Sequence, residues 1–174
     1  MSQTNWPAAS VAAREETSEG IAVLTYDDLD VQQIIASVGD NGAGATAVFI
    51  GTTRDSFKGK VVTRLDYQAY SKLAMKTMMS IIHAAHERCS RSTHHTENKP
   101  VSAIIRVAVH HRLGTVPVGQ PSIVIAVSSP HRRESFEACE FVLEEVKQKA
   151  QIWKREFYEG ESEETAEWKA NSTA

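Results

Sequence analysis

Two runs rich in Val and Ile, Val101–His110 (VSAIIRVAVH) and Ser122–Ser128 (SIVIAVS), flank the segment Leu113–Pro121 (LGTVPVGQP). This arrangement constrains the fold more than any other part of the chain. β-Branched runs of this length read as strands, the second one central to a sheet. The segment between them carries two glycines and two prolines and reads as a loop. A third apolar run, Ala45–Gly51 (ATAVFIG), reads as a buried strand, and Ile21–Thr25 as a short one. Val61–Tyr70 shows partial alternation, with Val61, Leu65 and Tyr67 on one face.

Helical spacing of apolar residues covers Asp27–Val38 and Ser71–Arg88. It also runs from Phe136 through Cys139, Val142, Val146, Ala150, Trp153 and Phe157, which predicts one long helix. Gly39–Gly44 is a loop, a turn falls near Lys58-Gly59, and the polar Cys89–Pro100 reads as a surface loop. The order β-α-β-β-α-β-β-α predicts an α+β fold with a largely antiparallel or mixed sheet.

At 174 residues and 41% hydrophobic composition the chain has material for one domain with a sizeable core. Residues 1–20 are rich in Ala, Ser, Thr and Glu without a clear period and read as a mobile tail. The domain then spans 21–171, and 172–174 is a short tail. Arg14 stands alone against Glu15, Glu16 and Glu19, which disfavours a transit peptide. No apolar run reaches the roughly 18 residues of a membrane span. A net charge of −3 disfavours a broadly basic nucleic-acid binder. Cys89 and Cys139 form no CxxC motif, which fits a reducing compartment. The pairs His83/His86 and His94/His95 lack the further ligands of a zinc set.

Ser129-Pro130 is a helix-start signal, with a capping side chain followed by a first-turn proline. His131, Arg132 and Arg133 follow at once, at the end of a helix whose dipole disfavours cations. Either they point into water at small cost, or a bound anion offsets the penalty. Lys147 and Lys154, seven residues apart, would lie on one face of the long helix, roughly 10 Å apart along its axis. They are either ordinary solvated lysines near Glu144 and Glu145, or amines aimed into a groove at the border of the apolar face. Arg54 follows a strand beside Thr52 and Thr53 and is either an anion-binding guanidinium or the partner of Asp55. His110-His111 closes a strand, where a hydrogen-bonded structural role competes with a site role.

The runs GATAVFIGTTRDSFKGKVVTRLDYQAY, VAVHHRLGTVPVGQPSIVIAVSSPHRRESFEA and VKQKAQIWKRE resemble the MoaE family, the large catalytic subunits of molybdopterin synthase. The resemblance covers roughly Ile21 to Asn171. Its motifs, strand-GTTR, HRLG, SSPHR and KxxxxxWKRE, stand in the family's order and spacing, and the VPVG loop and the EWKAN ending are closer to eukaryotic members. The stretch Ser90–Lys99 looks longer than is usual, and the chain stops soon after Asn171.

The resemblance implies an α/β-hammerhead-type fold with an added small sheet subdomain. It implies a cytosolic sulfurtransferase that converts cyclic pyranopterin monophosphate (precursor Z) to molybdopterin, without a metal or other cofactor. The sulfur donor is the C-terminal thiocarboxylate of a small ubiquitin-like subunit. The assembly is a homodimer of large subunits within a heterotetramer. It also implies substrate contacts from Arg54, His131 and Arg132, the last two reaching the neighbouring protomer's site. Lys147 is implied beside the partner's tail and Lys154 beside the substrate, as the catalytic pair. Phe49 and Trp153 are implied as pocket or core support.

Overall fold

The computed structural model describes residues 6–90 and 103–171. Its strands are β1 (Ala13–Glu16), β2 (Gly20–Thr25), β3 (Ala45–Thr52), β4 (Ser56–Phe57), β5 (Lys60–Ala69), β6 (Arg106–Arg112), β7 (Gly114–Pro117), β8 (Pro121–Ser129), β9 (Ile152–Tyr158) and β10 (Lys169–Ala170). Its α-helices are α1 (Val31–Ser37), α2 (Ser71–Ser90) and α3 (Arg132–Lys149). One sheet has the order β1-β2-β6-β8-β3, with β2 and β6 parallel and the other pairs antiparallel. The second sheet has the order β10-β9-β5-β4, and β7 pairs with β5. This is the expected α+β class, a mixed sheet with a smaller sheet added.

The Ser122–Ser128 run lies within β8, and the second half of the Val101–His110 run, from Arg106, falls in β6. Residues 103–105 precede that strand, and 101–102 lie outside the described residues. Both β6 and β8 are inner strands of the large sheet. Val107, Val109, Ile123, Ile125 and Val127 face α2 and α3 in the main core. Ala108, Val124 and Ala126 face the other way, toward Ile34 and Val38 of the α1 region. Burial on both faces explains why these strands read as continuous apolar runs. The Lys58-Gly59 turn joins β4 to β5 with φ of 49° and 79°, the two positive values a tight two-residue hairpin turn requires.

The structure departs from the sequence reading in several places. The stretch read as a mobile tail contains β1, paired along its length with β2. Ahead of β1, Ser10 is buried, and its hydroxyl accepts from the Ala69 amide at 3.1 Å. Strand β1 is an edge strand with mostly exposed side chains, so it carries no hydrophobic period. The Gly/Pro segment contains β7, which begins at Gly114 with φ 77° and ends on Pro117. An edge strand tolerates a proline where a central one does not.

Strand β3 is half-buried, not fully buried. It is the sheet edge, and Val48 and Ile50 face outward while Ala47 packs inward. Of the Cys89–Pro100 segment read as a loop, Cys89 and Ser90 end α2, and 91–100 lie outside the described residues.

The largest departure concerns the long helix. Strand β8 continues through Ser129, whose hydroxyl donates to Ala103 O at 2.7 Å. The same oxygen accepts from the His131 amide at 3.2 Å. The N-cap is therefore His131, in extended conformation with no side-chain cap bond, and not Ser129. Gly44 lies against this junction, where a Cβ would come within 2.3 Å of Pro130 O.

At the other end the helix stops at Lys149. Ala150 adopts φ −71° and ψ 138°, and the chain enters β9 at Ile152. No glycine or proline marks this stop. Pairing of β9 with β5 along Val62–Ala69 outweighs the helical spacing, in a segment whose Ile152, Trp153, Phe157 and Tyr158 favour strand. Phe136, expected on the apolar stripe, is 66% exposed. The buried seam of α3 is Ser135, Ala138, Cys139, Val142 and Val146.

Candidate functional site

The reversal at Ala150–Gln151 folds β9 back beside the end of α3. Between them, the end of β3 and the small sheet lies a cleft of about 750 Å³. Arg54, Lys147 and Lys154 all line it, from the loop after β3, the last turns of α3 and the middle of β9. The expectation that the two lysines share a helix face is therefore overturned, because Lys154 is a strand residue. Their convergence on one groove comes from the chain reversal instead.

The three cations have different surroundings. Lys154 Nζ lies 3.3 Å from Glu156 Oε1, with both side chains largely covered. Burial alone would raise the Glu156 carboxyl. The hydrogen bond from the Tyr158 hydroxyl and the Lys154 charge outweigh it and hold the carboxyl below its usual value. The Tyr158 hydroxyl is pushed up to about 12, by burial and by its bond to Glu156. Glu156 therefore stays ionised at neutral pH and steadies the Lys154 amine.

Lys147 is half-exposed and has no carboxylate partner among the described residues. Its amine lies 5.9 Å from the centre of the Phe49 ring, which also lines the cleft. The nearby Glu145 is instead bonded to Lys149. Arg54 is exposed and stacks over Phe57 at 5.6 Å. The alternative pairing with Asp55 is not made, and Asp55 accepts from Ser56 instead. Two amines and a guanidinium without full neutralisation make the cleft suited to an anionic, phosphate-bearing ligand.

His131 and Arg132 do not reach this cleft within one protomer. Fifteen residues of α3 separate Arg132 from Lys147, roughly 22 Å along the axis. Both are exposed, and no ion pair reaches them among the described residues, whereas Arg133 is bonded to Glu137 at 2.7 Å. Glu134 in the first turn offsets part of the dipole penalty. Trp153 is half-buried and is not among the cleft-lining residues.

Tyr67, His111, Glu156 and Asn171 also line the cleft. Of these only His111 was weighed as a site residue in the sequence; it is hydrogen-bonded, as the structural reading expects, and it also borders the cleft. Its Nδ1 lies 2.8 Å from Arg112 O, and its ring meets Tyr67 edge-on at 5.0 Å. Burial lowers its pKa to about 4, against a small opposing effect of the Arg112 carbonyl. The unfolded chain takes up this proton near 6.5, so the folded state loses stability as pH falls from 6.5 toward 4, by a few kcal/mol at most. Urea unfolding across that window is expected to show the decline, with a shallower slope in His111→Gln.

Among the described residues, no three His, Cys, Asp or Glu side chains are grouped to hold a metal, and no helix is long and apolar enough to cross a membrane.

Comparison with known proteins gives the fold a family. Residues 24–149 match the family model described as MoaE protein. The chain is 44% identical over 172 residues to the molybdopterin synthase catalytic subunit of Pyricularia oryzae, covering 98% of this chain and 86% of that protein. Among solved structures, molybdopterin synthase from Staphylococcus aureus aligns with a TM-score of 0.71 at 27% identity, over 84% of this chain and 94% of that one. A complex of subunits 1 and 2 of the molybdopterin-converting factor from Helicobacter pylori shares the fold, with a TM-score of 0.62 at 20% identity over 80% and 86% of the two chains. The chain belongs to the MoaE family, that of the molybdopterin synthase catalytic subunits.

Proposed function

We propose that this chain is the catalytic subunit of a cytosolic molybdopterin synthase, a sulfurtransferase that converts precursor Z to molybdopterin. The convergence of Arg54, Lys147 and Lys154 on one cleft carries this reading. The donor is the C-terminal thiocarboxylate of a small ubiquitin-like subunit, spent twice to build a dithiolene. In each transfer a carbon–sulfur bond forms on the pterin side chain as a carbon–oxygen bond to the same carbon breaks, its oxygen leaving as water or staying on the opened phosphate, and the acyl carbon–sulfur bond of the donor breaks. Water adds to the acyl carbon in place of the sulfur, so the partner's tail is released as a carboxylate.

The half-exposed Lys147 meets the incoming tail and stabilises the oxyanion and thiolate that develop there. Lys154, steadied by Glu156, faces the substrate with Arg54, and its cation holds the phosphate or a leaving oxygen. His131 and Arg132 act on the site of the neighbouring protomer. Their exposure, their lack of ion pairs and their distance from their own cleft support this.

The test is reconstitution. Purified protein, precursor Z and thiocarboxylated small subunit are expected to yield molybdopterin. Arg132→Ala and Lys147→Ala, each nearly inactive alone, are expected to regain up to about a quarter of wild-type turnover when unfolded and refolded together, since mixed dimers then carry one intact site. No product from wild type would overturn the proposed activity. Failure of the mixture to regain turnover would overturn the sharing of sites between protomers.

A further inference from the structure

The cleft is rich in donors, from Arg54, Lys147 and Lys154. A pterin also presents ring and amino N–H groups, which need acceptors. The His111–Asn171 pair supplies one. Carbonyl oxygen only accepts, so the 2.8 Å contact to Arg112 O places the hydrogen of the neutral His111 ring on Nδ1. Nε2 is then a bare acceptor. Asn171 faces it at 3.4 Å, and only the amide nitrogen has hydrogens to give.

This fixes the amide orientation, with Nδ2 toward His111 and Oδ1 free of hydrogen bonds among the described residues. The backbone holds the residue in place. Asn171 N donates to Ile152 O at 3.3 Å, and the preceding strand β10 pairs Lys169 with Lys154 and Ala170 with Trp153. The C-terminal segment is thus a wall of the same cleft, in register with the strand that carries Lys154.

We propose that Asn171 Oδ1 accepts a hydrogen bond from a pterin N–H of the substrate, and that His111 is the positioning residue that orients the amide for it. The proposal rests on the reading of the cleft as the pterin site. An uncharged acceptor suits this role, because it takes an N–H without cancelling the cations that hold the phosphate. His111 is buried and Asn171 half-exposed, so Asn171 can be replaced with little effect on the core.

The experiment measures steady-state kinetics of the reconstituted enzyme with varied precursor Z. Asn171→Ala is expected to raise KM about tenfold with kcat within about twofold, the signature of a lost substrate contact. His111→Gln, which fills much of the space but no longer fixes the amide, is expected to shift KM in the same direction. Added to Asn171→Ala, it should cause little further change. Unchanged KM in Asn171→Ala, with wild type active and Lys147→Ala inactive, would overturn this proposal and leave the site reading intact. So would a fall in kcat alone. An inactive wild type would instead count against the function itself.

Discussion

Lys147→Ala is expected to lower molybdopterin formation by about 10²–10³-fold, the range found when one group that stabilises a developing oxyanion is removed. Folding should survive the change, because Lys147 makes no ion pair among the described residues and is half-exposed. Its amine has one aromatic neighbour, the Phe49 ring at 5.9 Å, so its charge is available to a ligand. Lys154→Ala should behave differently. It removes a cation and also leaves the ionised Glu156 facing the cleft without its partner, so repulsion of the substrate phosphate should raise KM as well as lower turnover. Single-turnover rates, with small-subunit binding measured in parallel, separate the two. Lys147→Ala that transfers sulfur at the wild-type rate would remove this residue from the chemistry.

Asp66→Ala is expected to destabilise the protein by about 3 kcal/mol, the low end for stripping one partner from a buried ionic network. Asp66 is 1% exposed and sits in the middle of β5. Its carboxylate accepts from Arg155 at 3.0 and 3.2 Å and from the Thr115 hydroxyl at 2.9 Å, with Arg64 at 3.7 Å. It thus ties β9 and β7 to β5, and β9 carries Lys154. Arg155 also stacks on Trp168, which meets Trp6 from the N-terminal segment. Arg64 reaches Glu163 at 2.8 Å. The loss is kept to the low end because Arg155 and Arg64 side chains remain 25% and 29% exposed and can turn to water. Urea unfolding of both proteins checks it. A change below about 0.5 kcal/mol, the size of an ordinary surface substitution, would show that the network adds nothing.

The inner strands were legible because β6 and β8 are buried on both faces and their Val/Ile content has no other use. The edge strands β1 and β7 were not, since their side chains need no pattern and their hydrogen bonds leave no mark on composition. The end of α3 was misread for a sharper reason. Val146, Ala150, Trp153 and Phe157 keep helical spacing by coincidence across a boundary that only pairing with β5 defines. The site was legible as motifs and not as geometry. Arg54, Lys147 and Lys154 stood out by family resemblance, yet the spacing put Lys154 on the helix with Lys147 when it belongs to β9. His111 and Asn171 meet across 60 residues of sequence, and no local signal joins them.

The most direct measurement is a crystal structure of the protein bound to precursor Z. The expected result is a pterin in the cleft between α3 and β9, its phosphate within hydrogen-bonding distance of Arg54 or Lys154 and of Arg132 from the partner subunit. A ligand bound instead in the acidic groove lined by Glu159, Glu161 and Glu163, with the cleft empty, would contradict the assignment of the site.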